Sequence, residues 1–409
     1  MEHSADVRII RELAQRYAEI AARPTMDERR DLWRRHNSLQ RTRPLVYCRW
    51  FATWQEHPWA ALECEEPFWQ AHERFLKQAI AQDDVDDDYI IEPWITQHAS
   101  VVMPEGGPWG LPYGRISTGI AGGAWKYDPP IKRLEDIERL AEPQHVINEE
   151  ATRINVERLQ EAVGDILEVN VDRGPAYWGF RGDISTDIAY LRELGQLMMD
   201  MYDNPRWLHR LLAHMCDGIL RTHEQAEAAG DWSLCNHQNQ AQPYSLELED
   251  PVANSGPVTR DRLWCFMAAQ EYAQVSPAQH DEFLLQYQSP IMKPCGLVAY
   301  GCCEDLTHKI DMLRQVPNLR RIAVTPVANV ARCAEQIGTD YVISWRPNPA
   351  QMVCCGFYEE KVRTITREAM EAMRGCIVDI TLKDVQTVEG DISRLRRWVE
   401  ITREVTEDF

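Results

Sequence analysis

Apolar positions along the chain fall into two regimes. Through residues 7–22, 26–36 and 67–81 they recur every three or four residues, which places them on one face of a helix. The segment 90–131 breaks that rhythm. It is rich in Trp, Gly and Pro, with Gly106-Gly107-Pro108-Trp109-Gly110, Gly122-Gly123 and Asp128-Pro129-Pro130. Such punctuation predicts irregular structure or short hairpins. From about residue 160 short apolar runs alternate with amphipathic stretches. The runs at 166–171, 264–269, 296–300, 321–325, 341–344 and 376–382 predict strands. The stretches at 187–202, 205–229, 277–288, 304–316, 329–337, 359–373 and 392–407 predict helices. Strand then helix, repeated, is the pattern of parallel βα units.

A nucleotide-binding doubly wound sheet would carry a glycine fingerprint after its first strand. Val169-Asn170-Val171-Asp172-Arg173-Gly174-Pro175 has none, and no G-x-x-x-x-G-K-[ST] occurs elsewhere. The expected fold is therefore α/β: a (β/α)8 TIM barrel over 161–409, with residues 1–160 as a helical and irregular N-terminal extension packed on it. With 409 residues, 44% of them hydrophobic, the chain can fill such a core.

Charge narrows the partners. Lys and Arg number 44 against 64 Asp and Glu, a net charge of −20. The densest basic cluster, Arg29-Arg30-Asp31-Leu32-Trp33-Arg34-Arg35, is interrupted by Asp31 and reads as a solvated helix face, so no nucleic-acid partner is expected. No apolar run reaches the roughly 18 residues of a membrane span. The amphipathic N-terminus has no apolar signal-peptide core. The twelve cysteines are scattered, with adjacent pairs at Cys302-Cys303 and Cys354-Cys355. Reduced thiols in a cytoplasmic protein are expected.

In a (β/α)8 barrel the chemistry sits at the C-terminal strand ends. The polar residues there are Asp172 and Arg173, Gln270 and Glu271, then Tyr300, Cys302, Cys303 and Glu304. Thr325, Trp345 and Arg346, and Lys383 and Asp384 follow. In Tyr300-Gly301-Cys302-Cys303-Glu304, two thiols and a carboxylate are candidate zinc ligands. A following helix N-terminus would lower a thiol pKa. The alternative is an inward-packed cysteine with Glu304 as a helix cap. Glu271 is a candidate ligand or general base, or a surface acid. His237, in the polar run 235–240, is a candidate ligand or base, or a loop histidine. Arg346, in a proline-fixed loop, suits a carboxylate or phosphate.

Three segments resemble the uroporphyrinogen decarboxylase superfamily, which includes the decarboxylases of tetrapyrrole synthesis and the cobalamin-dependent methyltransferases. They are Asn204-Pro205-Arg206-Trp207-Leu208-His209-Arg210-Leu211-Leu212, Ser276-Pro277-Ala278-Gln279-His280-Asp281-Glu282-Phe283, and Tyr300-Gly301-Cys302, where zinc methyltransferases of the family place H-x-C. The resemblance covers roughly 160–407. It departs from the family at Tyr300, which replaces a ligand histidine, and at Ser344-Trp345-Arg346-Pro347, which lacks the later ligand cysteine. Arg43-Pro44-Leu45-Val46-Tyr47-Cys48-Arg49 resembles the decarboxylases' substrate-binding stretch, with Arg49 on its first arginine and the second absent.

The resemblance implies a methyltransferase of O-demethylation type, moving a methyl group from a small methyl ether or methylamine donor to a corrinoid (cobalamin). Zinc would be held by Cys302, Cys303 and Glu304. Tyr300, Asp172 and Glu271 would be catalytic, with Tyr300 a proton donor to the leaving group. Arg173, His237, Arg346 and Asp384 would contact substrate. No D-x-H-x-x-G element is present, so the corrinoid would arrive on a separate protein and dock over the barrel mouth. Trp94, Trp109, Trp125 and Trp178 lie in segments placed to line that mouth. A homodimer is left open. The alternatives are a decarboxylase-like lyase on a small carboxylic acid, with Arg173 and Arg346 as its anchors, and a non-catalytic barrel binding a corrinoid or aromatic ligand.

Overall fold

The computed structural model describes residues 4–120, 125–407 and 409. Among the described residues ten strands follow in chain order: β1 (Leu45–Cys48), β2 (Trp94–His98), β3 (Gly114–Ser117), β4 (Trp125–Asp128), β5 (Glu168–Asp172), β6 (Trp264–Met267), β7 (Leu297–Tyr300), β8 (Leu319–Val324), β9 (Val342–Trp345) and β10 (Ile377–Leu382). Six form one sheet in the order β1-β10-β9-β8-β7-β6, and every neighbouring pair is parallel. β2 and β5 form a parallel pair, and β3 and β4 an antiparallel hairpin. The fold is α/β, with helices between successive strands of a parallel sheet. Every residue of β6, β7, β9 and β10 is buried. A parallel sheet covered on both faces favours apolar runs, and the polar residues of β9 and β10, Ser344, Asp379 and Thr381, are paired with one another inside it.

The sheets do not follow the division expected at residue 160. β1 comes from the first 160 residues yet pairs with β10 from Leu45↔Asp379 to Cys48↔Leu382. β2 and β5 also pair across that boundary. Residues 1–160 thus supply strands, because β10 would otherwise present an unpaired edge. A second, smaller core packs helices Ala5–Ala21 and Pro67–Val85 against β2 and β5.

Several helices depart from expectation. The stretch 187–202 is split at Glu193, whose φ of 75° lies in the left-handed region, into Ser185–Arg192 and Leu194–Asp203. The stretch 304–316 is helical only over Ile310–Leu313. Asp305 accepts hydrogen bonds from the N–H and Oγ1 of Thr307, a local turn that competes with helix formation. Glu304 is therefore not a helix cap, and no helix starts beside the two thiols. The run 235–240, expected to belong to a βα unit, carries only the 3-10 turn Leu234–Asn236.

Below the sheet's C-terminal ends lies a buried ionic network. Asp379 on β10 accepts from Arg321 on β8 at 2.8 Å, from Ser344 on β9 at 2.9 Å and from Thr381 at 3.1 Å, with His36 Nε2 at 3.3 Å. Burial alone would raise the Asp379 pKa, but Arg321, His36 and Ser344 outweigh it and hold the carboxyl near 2.

Candidate functional site

The C-terminal ends of β1, β6, β7 and β10 open onto one cavity of about 420 Å³. β1 contributes Tyr47 and, just past it, Arg49. β6 leads to Gln270, β7 to Cys302 and Cys303, and β10 to Lys383 and Asp384. Phe51, Ala52, Phe180 and Gln240 complete the wall. The Arg49 N–H donates to Leu382 O at 2.7 Å, which extends the β1–β10 pairing into the site. The Arg49 guanidinium donates to Gln240 Oε1. A second cavity of about 320 Å³, with Tyr113, Tyr127 and Tyr190 among its walls, shares Phe180 with the first.

Gly301 makes the turn that delivers the thiols. Its φ is 101°, and an added Cβ would lie 2.8 Å from Leu306 Cδ1 and 3.0 Å from Ala323 Cβ, so a side chain is excluded twice over. Past this turn Cys302 and Cys303 reach the same cavity, their sulfurs 3.7 Å apart. Lys383 Nζ is 3.4 Å from Cys302 Sγ, 3.0 Å from Cys303 Sγ and 2.8 Å from Asp384 Oδ2. Asp384 Oδ2 also lies 3.6 Å from Cys303 Sγ. One ammonium therefore stands among two sulfurs and a carboxylate.

The charges set the protonation pattern. The hydrogen bond from Cys303 lowers the Cys302 thiol pKa. Burial opposes this, while Arg346 and Lys383 add to it, and the net shift is downward. Cys303 is pushed up by the same pairing and by burial. The two thus share one negative charge, centred on Cys302. Burial and Arg346 act against the Lys383 charge, but Cys302, Asp384 and Cys303 outweigh them and keep it protonated. Burial raises the Asp384 pKa, and Lys383 reverses this to leave it lowered.

Of the residues expected at the site, Cys302, Cys303 and Asp384 line the cavity. Glu304 does not join the thiols. Its Oε1 accepts from Ala269 N at 2.8 Å and its Oε2 from Cys302 N at 2.8 Å, so the carboxylate is a buried strut between the β6 and β7 loops. Arg346 is buried beneath the site and donates to Cys302 O; its charge acts on the thiol and not on a cavity ligand. Tyr300 is likewise buried, its hydroxyl donating to Gln288 Oε1 at 2.7 Å and lying 2.9 Å from His280 Nε2. The expectation that it protonates a leaving group has no geometric support, since the hydroxyl is spent inside the core.

Glu271 stands off the cavity wall and accepts from Ser185 Oγ. Burial raises its pKa, opposed by Ser185 and reinforced by Glu304 and Asp187. Asp172 accepts from Gly174 N at 2.9 Å and Asn236 Nδ2 at 2.6 Å, with His98 Nδ1 at 2.9 Å, and so ties the ends of β2 and β5. Arg173 is held by both oxygens of Glu149, at 3.0 and 2.7 Å, and by Asp231. His237 accepts from Trp264 N at 3.1 Å and donates to Glu249 O at 3.1 Å. Its burial lowers the pKa to about 3, making it a neutral structural residue. Trp109 is buried against Asp187, Trp178 donates to Asn236 O, and Trp94 is half-buried in β2. The Trp125 side chain lies outside the described residues. Lys383, named among the strand-end polar residues, and Arg49, placed by the resemblance on a substrate arginine, also line the wall, while Phe180 enters it without having been expected. The sequence signal for Lys383 was its position immediately after a strand, and for Arg49 the resemblance of 43–49 to a substrate-binding stretch.

The donor set does not fit zinc. Sulfurs 3.7 Å apart match adjacent ligands on one ion, which lie about 3.8 Å apart for Zn–S bonds of about 2.3 Å. The Lys383 ammonium, however, already occupies the space between the sulfurs and Asp384. A dication about 4 Å from that ammonium would be repelled by about 8 kcal/mol at an effective dielectric of about 20, so zinc would have to displace or deprotonate Lys383 to use the two sulfurs and Asp384. Among the described residues, no three His, Cys, Asp or Glu side chains converge as a metal site. No helix of the described residues is long and apolar enough to cross a membrane. Compared with known proteins, the chain matches no protein-family model and no curated protein sequence.

Proposed function

We propose that the six-stranded sheet and the β2–β5 pair close into a (β/α)8 barrel, and that its mouth transfers a methyl group from a small methylated substrate to a corrinoid carried by a separate protein. The closure is supported at both gaps. Asp88 N, ahead of β2, donates to Val46 O on β1 at 2.8 Å, and Phe180, after β5, packs on Phe266 of β6 with ring centroids 5.0 Å apart. The observation that carries the functional reading is the concentration of chemistry at the strand ends: a lysine ammonium paired with a carboxylate on the wall of one cavity.

A methyl ether or amine resists demethylation because its heteroatom leaves as a strong base. Lys383 Nζ, buried and charged, is the proton donor for that atom, and Asp384 orients it from 2.8 Å. Arg49, Gln240 and Gln270 supply polar contacts to the donor, while Phe51 and Phe180 shield it from water. The corrinoid is the methyl acceptor, and the tyrosine-lined second cavity beside Phe180 widens the surface on which its carrier would dock. The test mixes the protein with methoxylated aromatic acids or methylamines and chemically reduced free cobalamin, and follows methylcobalamin by its absorption spectrum. Methylation lost in Lys383→Ala supports the reading; none with wild type across both donor classes refutes it.

One observation favours a second reading. Arg49 and Lys383 place two cations on the same wall, a pairing suited to a small carboxylate. A lyase of that kind releases carbon dioxide without any methyl acceptor, so product analysis in the same reactions separates the two.

A further inference from the structure

Methyl transfer as proposed leaves the adjacent thiols without a role. Both line the mouth cavity, with their sulfurs 3.7 Å apart. A disulfide usually spans Cα atoms about 4.4–6.8 Å apart, and neighbouring residues are held at about 3.8 Å, so joining the two directly strains the backbone. A single soft atom bonded to both at about 2.3 Å bridges them where they stand. The neighbours then select the atom. Lys383 Nζ, at 3.4 and 3.0 Å, repels a dication but not a neutral electrophile. Two thiols and no third free donor suit a centre that needs only two sulfur bonds. Phe51, Phe180 and Tyr47 in the same wall offer an apolar seat for one organic substituent.

We propose that Cys302 and Cys303 form a chelating site for a neutral trivalent organoarsenical, R–As(OH)2. Two As–O bonds break and two As–S bonds form. Each hydroxide leaves as water, the first with a proton from Lys383 and the second with the proton of Cys303, and arsenic keeps its oxidation state, so no oxidant or reductant is needed. Cys302 attacks first as the thiolate, and Lys383 regains from solvent the proton it gives up; Asp384, 3.6 Å from Cys303 Sγ, relays the proton of the second thiol to the second hydroxide. The ring closes through the Cys302–Cys303 peptide without closing any longer loop. The other adjacent pair is not equivalent, because the Cys354 thiol is engaged with Thr387 O at 2.7 Å. This site does not depend on the methyl-transfer reading, and its test involves no methyl donor.

The experiment uses phenylarsine oxide, which hydrates to such a species, on the full-length reduced protein. Mass spectrometry of the desalted protein is expected to show one phenylarsenic adduct, mapped to the peptide containing Cys302 and Cys303. A dithiol such as 2,3-dimercaptopropanol removes it; a monothiol in similar excess does not. Cys303→Ser, at the exposed position, leaves one thiol, and affinity falls by about 100-fold with loss of the chelate. Cys354→Ser keeps the wild-type adduct. Should Cys303→Ser bind as tightly as wild type, or the adduct map to Cys354–Cys355, the proposal fails. Circular dichroism of the same samples, matched to wild type, ties a lost adduct to the thiol and not to unfolding.

Discussion

Replacing Lys383 by methionine removes the cation between the thiols while keeping most of the side chain's volume. At 3.4 Å from Cys302 Sγ, a unit charge stabilises a thiolate by about 1 kcal/mol at the dielectric of water and about 5 kcal/mol at an effective value of about 20. Lys383 and Cys302 are both buried, but they line an open cavity beside the exposed Cys303, and solvent there pulls the interaction toward the lower limit. That corresponds to a pKa rise of about 1–2 units in the variant. Arg346 stays in place and retains part of the lowering. The assay is the rate of iodoacetamide alkylation against pH, with Cys302 and Cys303 quantified by peptide mapping. Wild type is expected to react with a midpoint below the ordinary thiol value of about 8.5, and Lys383→Met with a midpoint displaced upward. Superimposable pH profiles would mean that the ammonium does not act on the sulfurs, and the charge arrangement described for the site would be refuted.

Three further outcomes follow from the same geometry. The Asp379 carboxyl is held near 2, against about 3.9 in an unfolded chain, so its stabilisation is complete above about pH 4 and is lost as pH falls toward 2, a loss of about 2.5 kcal/mol. Asp379→Asn should lose that acid sensitivity in urea titrations across this range, and at neutral pH should be about 3–5 kcal/mol less stable because Arg321 stays buried and unpaired; an unchanged acid slope counts against it. Tyr300→Phe leaves Gln288 and His280 short of a partner and should cost about 1–3 kcal/mol in urea unfolding, with the alkylation midpoint of the thiols unmoved. Finally, protein purified without chelator should hold far less than stoichiometric zinc by elemental mass spectrometry. A full equivalent that disappears in Cys302→Ala would overturn the assignment of Lys383 as the cation of the site.

Six strands were read in advance: β5, which is only partly buried, and β6 to β10, which are almost wholly buried. β6 and β7 appear as unbroken apolar runs because sheet and helices leave them no solvent side, while β8 to β10 are apolar runs interrupted by the polar residues of the buried ionic network. β1 escaped notice because its four residues are framed by Arg43-Pro44 and Arg49, and its strand state comes from pairing with β10, more than three hundred residues later. β2 lies in a stretch dense in Trp, Gly and Pro and gains its extended form only against β5. The helix expected from residue 304 failed for a local reason, since Asp305 and Thr307 satisfy each other before a helix can start.

The candidate site was half legible, and the division follows from side-chain direction. Knowing that a residue ends a strand fixes its height, but whether it faces the cavity depends on a one-residue register, because neighbours on a strand point oppositely. Gln270 reaches the wall while Glu271 turns back to Ser185; Tyr300 points into the core while the residues past Gly301 reach the mouth. Gly301 ends the alternation, so two consecutive cysteines reach one space, and a glycine followed by a cysteine pair at a strand end was a signal for two donors together. What occupies the space between such donors was not in that signal. Lys383 comes from β10, 80 residues further on, and only the fold brings its ammonium to the position where the motif alone suggested a metal.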